Sequence, residues 1–173
     1  MTDYFALLDQ PRQPWLDLEK LKEVYHARTR DEQPDAYLNE AYQVLRDPKR
    51  RLHHLLTLRG QPPSRDNASV PQEIENLFPA VANLTREAEL IADKLSAASN
   101  KLSRSLLQAE VAIVQKKLAE TLTKISDLKN AALVRLQTAG ENDSADLHAL
   151  YLQFSYLNRW LEQLNEKQLQ LSL

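Results

Sequence analysis

The residues of this chain that could perform chemistry are four histidines and a large set of charged side chains. His53 and His54 are adjacent, and adjacent residues do not share a helix face, so the pair does not predict a metal site. His26 and His148 lack carboxylates at a metal-binding spacing. The chain has no cysteine, which excludes thiol catalysis and cysteine-ligated zinc or iron–sulfur clusters. With no phosphate-binding loop or nucleophile motif either, we expect a protein that is not an enzyme and holds no cofactor.

Positive charge is concentrated first in a segment that begins near Leu16-Asp17. Asp17 suits the N-cap or first turn of a helix, and an apolar stripe follows at helical spacing. The basic residues around that stripe are Lys20, Lys22, His26, Arg28 and Arg30. They predict either a solvent-exposed helix face or a surface that attracts an acidic partner.

A second basic group surrounds Asp47-Pro48. It comprises Arg46, Lys49, Arg50, Arg51, His53, His54 and Arg59. A solvent-exposed helix face is the first interpretation, and an acidic partner surface is the second. Nucleic acid comes third, because no aromatic side chain interleaves with these charges and the net charge of the chain is −2.

Composition predicts the elements that must position these residues. The chain has 173 residues, which suits one compact domain or two small ones. It has only 2 glycines and is rich in strong helix formers, so we expect an all-α protein. It opens with no secretory leader and contains no apolar run that could span a bilayer. We therefore expect a cytoplasmic protein without a membrane partner.

Helical periodicity predicts a hairpin in the N-terminal third. The first helix of the hairpin has an apolar stripe at Leu18, Leu21, Val24 and Tyr25, and the next has Leu38, Ala41, Tyr42, Val44 and Leu45. Asp47-Pro48 ends that helix, because a residue before proline is driven out of the α region. Another amphipathic segment then buries Leu52, Leu55, Leu56 and Leu58.

Residues 60–71 read as a linker, since they hold three prolines and one of the two glycines. Beyond it we predict an antiparallel three-helix bundle over residues 72–173. Pro79 predicts a kink or restart in the first bundle helix, and a soft break follows Leu95. Gly140 should end the long middle helix. The inward face of that helix is predicted to be Leu107, Val111, Val114, Leu118, Leu122, Ile125, Ala132 and Leu136.

The N-terminal motifs resemble those of a J-domain of the HscB co-chaperone type. The resemblance rests on Asp3-Tyr4-Phe5, on Leu21-Lys22-x-x-Tyr25, and on the run from Leu38-Asn39-Glu40 to Asp47-Pro48. Seven residues separate Tyr25 from Gln33-Pro34-Asp35, which stands where the family carries His-Pro-Asp. The resemblance implies that Lys20, Lys22, Arg28, Arg30, Gln33, Pro34 and Asp35 bind the acidic ATPase of a DnaK-type chaperone.

The sequence departs from the J-domain pattern in three ways. Gln33 cannot become cationic, Arg28 and Glu32 replace core residues of the family, and only two residues separate Asp35 from Leu38. A shortened third helix would explain the second change, because the end of the preceding helix would have nothing to pack against. We therefore expect the third helix to begin at Pro34 or Asp35, with Arg28 and Glu32 in solvent.

The C-terminal part also resembles HscB-type proteins, at Pro71–Phe78 and at Phe154–Leu164. The resemblance implies that Leu77, Phe78 and Val81 contact an iron–sulfur scaffold protein or another client. Burial of these three residues in the bundle core is the alternative.

These observations lead to a domain plan and two functional hypotheses. The plan is a J-like domain at 1–59, a linker at 60–71 and a three-helix bundle at 72–173. The first hypothesis is a co-chaperone that partners a DnaK-type chaperone in protein folding or iron–sulfur cluster assembly, with weakened ATPase stimulation. The second is a J-like protein–protein interaction module that no longer stimulates a chaperone.

Overall fold

The computed structural model describes residues 2–31, 36–63, 69–139 and 144–172. All regular elements in these ranges are helical, which confirms the all-α class. None of the helices in these ranges has the length and apolar character needed to cross a membrane. The helices are α1 (Tyr4–Leu7), α2 (Leu18–Asp31), α3 (Ala36–Arg46), α4 (Pro48–Leu58), α5 (Gln72–Glu75), α6 (Phe78–Ala97), α7 (Lys101–Thr138) and α8 (Ser144–Gln170).

The chain forms two compact units, each built from two separate segments. The first unit contains Met1–Ser69 and Ala132–Phe154, and the second contains Val70–Ala131 and Ser155–Leu173. Helices α7 and α8 therefore each supply residues to both units. The domain plan of 1–59, 60–71 and 72–173 stays a prediction.

The core of the first unit joins α1 to α4 with the C-terminal end of α7 and the N-terminal half of α8. Its leucines fall at the helical spacing that the sequence predicts for α3 and α4. The buried core consists of Phe5, Leu8, Leu16, Leu21, Leu38, Ala41, Leu45, Leu52, Leu55, Leu56, Ala132, Leu136, Leu147, Leu150 and Phe154.

Side-chain caps fix the starts of three helices in this unit, with Asp3 capping α1. The carboxylate of Asp17 accepts hydrogen bonds from the backbone N–H groups of Glu19 at 3.0 Å and Lys20 at 3.3 Å, as expected for an N-cap. Asp47 caps α4 in the same way, with the N–H of Arg50 at 2.7 Å and Pro48 in the first turn. The Asp-Pro pair therefore ends α3 and begins α4.

Four residues of sequence, 32–35, separate the described parts of α2 and α3. Helix α2 is described to Asp31 and α3 from Ala36, so a start of α3 at Pro34 or Asp35 lies outside the described residues, as does Glu32. Arg28 is partly exposed and forms an ion pair of 2.6 Å with Asp9.

The second unit contains three long helical segments in an up-down-up arrangement. On α6 and α7, Lys94 lies 2.7 Å from Glu110 and Glu87 lies 2.7 Å from Lys117. The earlier residue of α6 pairs with the later residue of α7, so the two helices are antiparallel. The buried core consists of Ile74, Leu77, Val81, Leu84, Ala88, Ile91, Val114, Leu118, Ile125, Leu157, Trp160, Leu164 and Leu171.

Helix α8 closes this unit alongside α6. Lys167 lies 3.1 Å from Glu89, and the side-chain amide of Gln115 donates to the carbonyl of Leu171 at 2.9 Å. Pro79 occupies the first turn of α6, so the predicted interruption there is a restart after the short α5.

Candidate docking surfaces

Tyr25 attaches α2 to α3. Its ring stacks on Tyr42 with the centroids 4.2 Å apart, and its hydroxyl donates to Oδ1 of Asn39 at 2.6 Å. Stacking and a short hydrogen bond from one side chain fix both the distance and the rotation of α2 on α3. Tyr25 therefore forms a central contact of the α2–α3 interface.

The Asn39-Glu40-Ala41-Tyr42 motif has a structural role at every position. Asn39 and Tyr42 hold Tyr25, while Ala41 is completely buried. Glu40 reaches across to α4 and binds Arg50 at 2.6 Å. The motif therefore connects α3 to its neighbours on both sides.

The predicted chaperone-binding residues on α2 fall into two groups. Lys20, Lys22 and Arg30 are exposed. Arg28 is already paired with Asp9, which comes from the loop after α1 and has a positive φ of 50°. Three of the four basic residues are therefore exposed and form no ion pair with the described residues. The fourth, Arg28, is already paired.

Acidic residues lie among the basic residues of α2. The prediction from sequence considered the basic residues only. A shallow depression of about 370 Å³ runs along α2 and is lined by Glu19, Lys22, Glu23, His26, Ala27 and Arg30. Two acids therefore share the face that carries Lys22 and Arg30. The attraction of this face for an acidic partner is weaker than the basic residues alone suggest.

The predicted signature Gln33-Pro34-Asp35 lies outside the described residues. Its predicted role stays a prediction. The described ends of α2 at Asp31 and of α3 at Ala36 flank it closely in sequence.

The basic group around Asp47-Pro48 is not wholly a solvent-exposed face, because Arg51 is only 2% exposed. Its Nε donates to the carbonyl of Pro14 at 2.8 Å and its Nη1 to the carbonyl of Leu45 at 2.6 Å. Burial lowers the pKa of Arg51 to about 10, against the opposing effect of the Asp47 carboxylate, so the guanidinium stays charged at neutral pH.

His54 is also buried, so the interpretation of this basic group as a solvent-exposed face is wrong for His54 as well. The backbone N–H of Tyr4 donates to its Nε2 at 3.1 Å, and the Tyr4 ring stacks on it with centroids 4.5 Å apart. Burial lowers the pKa of His54, and His53 and Arg12 lower it further, while Asp3 opposes them. The neutral ring therefore ties α4 to the first residue of α1.

The predicted scaffold-binding residues do not lie together on the surface. Leu77 and Val81 are each 3% exposed and belong to the core of the second unit, whereas Phe78 is 39% exposed. The Phe78 ring meets Tyr156 and Trp160 edge-on, with centroids 5.0 and 5.1 Å away. Of the three residues, Phe78 offers the accessible aromatic surface.

In the described ranges, no three His, Asp or Glu side chains are grouped closely enough to hold a metal ion.

No protein-family model matches this chain, and no curated protein matches it. Among solved structures, the chain is similar to the human co-chaperone protein HscB, with a TM-score of 0.41 and 19% sequence identity over 96% of this chain and 82% of that chain.

Proposed function

We propose that this chain is a co-chaperone-like protein that partners a DnaK-type chaperone in protein folding or iron–sulfur cluster assembly, with weakened ATPase stimulation. The observation that carries the proposal is the α2–α3 hairpin, in which Tyr25 is stacked on Tyr42 and bonded to Asn39. This hairpin leaves Lys20, Lys22 and Arg30 on the exposed side of α2. Such a surface suits an acidic ATPase, since opposite charges accelerate association.

Two features support weak stimulation. Gln33 stands where the J-domain signature has histidine, so the side chain cannot carry a positive charge. On α2, Arg28 is bound to Asp9, and Glu19 and Glu23 reduce the net charge of the exposed face. The change at Gln33 reduces the specific contacts available to a chaperone, and the lower charge of α2 reduces its attraction for an acidic ATPase.

The client side of the proposal rests on Phe78. Its partly exposed ring, held by edge contacts with Tyr156 and Trp160, offers an apolar surface for an iron–sulfur scaffold or another client. Leu77 and Val81 are buried in the core of the second unit and contribute little surface of their own.

The alternative is a J-like interaction module that binds partners but no longer stimulates a chaperone. The mixed charge of the α2 face and the Arg28–Asp9 ion pair favour it. The two functions share the fold and differ in whether ATP hydrolysis responds to binding.

A single-turnover ATPase assay with a DnaK-type chaperone, paired with a direct binding measurement, separates the two. We expect weak, salt-sensitive binding, because exposed charges are screened over about 8–10 Å at ordinary ionic strength, and a small increase in hydrolysis. The double variant Lys22→Glu/Arg30→Glu should abolish both, whereas the exposed Lys124→Glu on α7 should change neither.

The substitution Gln33→His tests how much of the weakness lies in the signature itself. We expect it not to restore full stimulation, because the short connection to α3 and the mixed charge of α2 remain. Binding without any stimulation would favour the interaction module, and strong stimulation by the unmodified protein would contradict the proposal.

A further inference from the structure

We propose that the first unit contains a binding pocket for a small aromatic carboxylate, separate from the exposed face of α2. The pocket is a cavity of about 320 Å³ at the beginning of α4. Side chains from α1, α3, α4 and α8 line it, all within the first unit. They are Tyr4, Val44, Lys49, Arg50, His53, His54 and Tyr151.

The pocket is lined mainly by rings. Tyr4 and His54 stack with an interplanar angle of 21°, and His53 packs against Tyr151 at a centroid distance of 5.9 Å. Val44, which is buried, adds an aliphatic contact. Rings prefer to stack on or meet the edges of other rings, so these walls favour a flat aromatic ligand over a branched aliphatic one.

The charge of the lining selects an anion. Lys49 and Arg50 belong to it, and none of the described lining residues is acidic. In the part of the chain that the structure describes, the ammonium of Lys49 has no ion pair or hydrogen bond, although the side chain is half-buried. Because the Lys49 ammonium has no partner among the described residues, a ligand carboxylate can bind it without first breaking an ion pair.

Arg50 supplies further hydrogen-bond donors, while the Glu40 carboxylate offsets its positive charge. One terminal nitrogen of its guanidinium binds Glu40 at 2.6 Å, which holds the group at the rim of the pocket. A guanidinium carries five N–H donors in a planar fork, so this ion pair leaves donors for a second carboxylate. Glu40 therefore positions Arg50 as well as pairing with it.

The size of the cavity limits the ligand. Ligand pockets span roughly 300–1,000 Å³, so this one lies at the small end of that range. It suits one or two rings with a carboxylate and leaves little room for a nucleotide.

A pair of matched probes tests the proposal on the unmodified full chain. Phenylacetate and phenylacetamide share the ring and differ in charge. In an NMR titration, we expect phenylacetate to shift the signals of residues 49–54, Tyr4 and Tyr151, and to bind at least about tenfold more tightly than the amide. Equal binding of the two probes, shifts elsewhere in the chain, or no saturable binding at about 20 mM phenylacetate would overturn the proposal.

A substitution of Lys49 gives an independent test. Lys49→Gln keeps the length and polarity of the side chain and removes its charge. We expect it to weaken phenylacetate binding by about threefold to tenfold and to leave phenylacetamide binding unchanged. Lys124→Gln, at an exposed position of α7 in the second unit, is the matched control and should bind like the unmodified chain. Equal affinities of the two variants for phenylacetate would refute the role of Lys49.

Discussion

Arg51 connects three segments that the sequence separates. It lies in the first turn of α4, and its guanidinium binds the carbonyl of Pro14, before α2, and that of Leu45, near the end of α3. Carbonyl groups buried without a donor destabilise a fold, so one arginine satisfies two of them. Burying a cation among neutral acceptors costs desolvation free energy. The two hydrogen bonds of Arg51 to carbonyl groups offset part of that cost.

We predict that Arg51→Met lowers the free energy of unfolding by about 2–5 kcal/mol, because it leaves the Pro14 and Leu45 carbonyls without their donor. Urea denaturation measures the loss. Arg50→Met is the matched control, since its ion pair with Glu40 is largely exposed and contributes at most about 1 kcal/mol. Equal losses in the two variants would contradict this role of Arg51.

His54 makes the stability of the first unit depend on pH. Its pKa in the folded chain lies below the ordinary value of 6.5 because the ring is buried. As the pH falls below 6.5, the unfolded chain binds a proton that the folded chain does not. The contribution of His54 is therefore complete above that pH and is lost as the pH falls through the folded pKa.

We predict that the free energy of unfolding declines between pH 7.5 and pH 5 and that His54→Gln makes this decline smaller. Denaturant titrations at several pH values give the slope directly. Asp3 does not titrate in this pH range. Burial acts to raise its pKa, but hydrogen bonds from Arg12 and from the start of α1 lower it below 3.8. The protonation of Asp3 therefore affects stability only at lower pH. An unchanged slope in the variant would show that His54 does not titrate between the folded and unfolded states.

At the scale of elements, the α2–α3 hairpin rests on one aromatic pair and one hydrogen bond. Tyr25 and Tyr42 stack nearly parallel, and Asn39 accepts the Tyr25 hydroxyl. Helix α2 otherwise buries Leu21 completely and Val24 in part. Few apolar residues hold α2, so the polar contact at Tyr25 has a large share in orienting it.

We predict that Tyr25→Phe destabilises the chain by about 1 kcal/mol, since it removes one hydrogen bond and keeps the stacking. Tyr42→Phe is the control, because the Tyr42 hydroxyl has no hydrogen bond among the described residues; we expect a change within about 0.5 kcal/mol. Thermal or urea unfolding of both variants checks the difference. If Asn39→Ala lowers stability equally with and without the Tyr25 hydroxyl, the two residues do not interact.

At the scale of the whole molecule, the first unit depends on residues far along the chain. Ala132, Leu136, Leu147, Leu150 and Phe154 are completely buried in its core. Truncating one buried leucine to alanine typically costs about 2–5 kcal/mol, and a domain has only about 5–15 kcal/mol of net stability. The N-terminal segment alone therefore lacks a large part of its core.

We predict that a fragment of residues 1–69 does not unfold cooperatively, because it lacks the 132–154 segment of the first unit. Circular dichroism melts of this fragment and of the full chain make the comparison. A sharp transition in the fragment would instead support a self-contained domain that ends near residue 59, as the linker at 60–71 predicts.

Local sequence was sufficient to predict the starts of α2, α4 and α6. Asp17 and Asp47 cap α2 and α4, and Pro79 begins α6, because caps and prolines act on the backbone within one turn. The inward faces of α3 and α4 also follow from the spacing of their leucines. These features depend on residues three or four positions apart, which the sequence displays directly.

The tertiary structure decided which polar residues are buried and which distant segments share a core. Arg51 and His54 look like members of a surface charge group until Pro14 and Tyr4 are brought against them. Arg28 pairs with Asp9 across nineteen positions. Helical periodicity identifies an apolar face but not the residues that cover it, because that choice depends on contacts between segments far apart in the chain. For the same reason, only the fold could bring α1, α3, α4 and α8 together around one pocket.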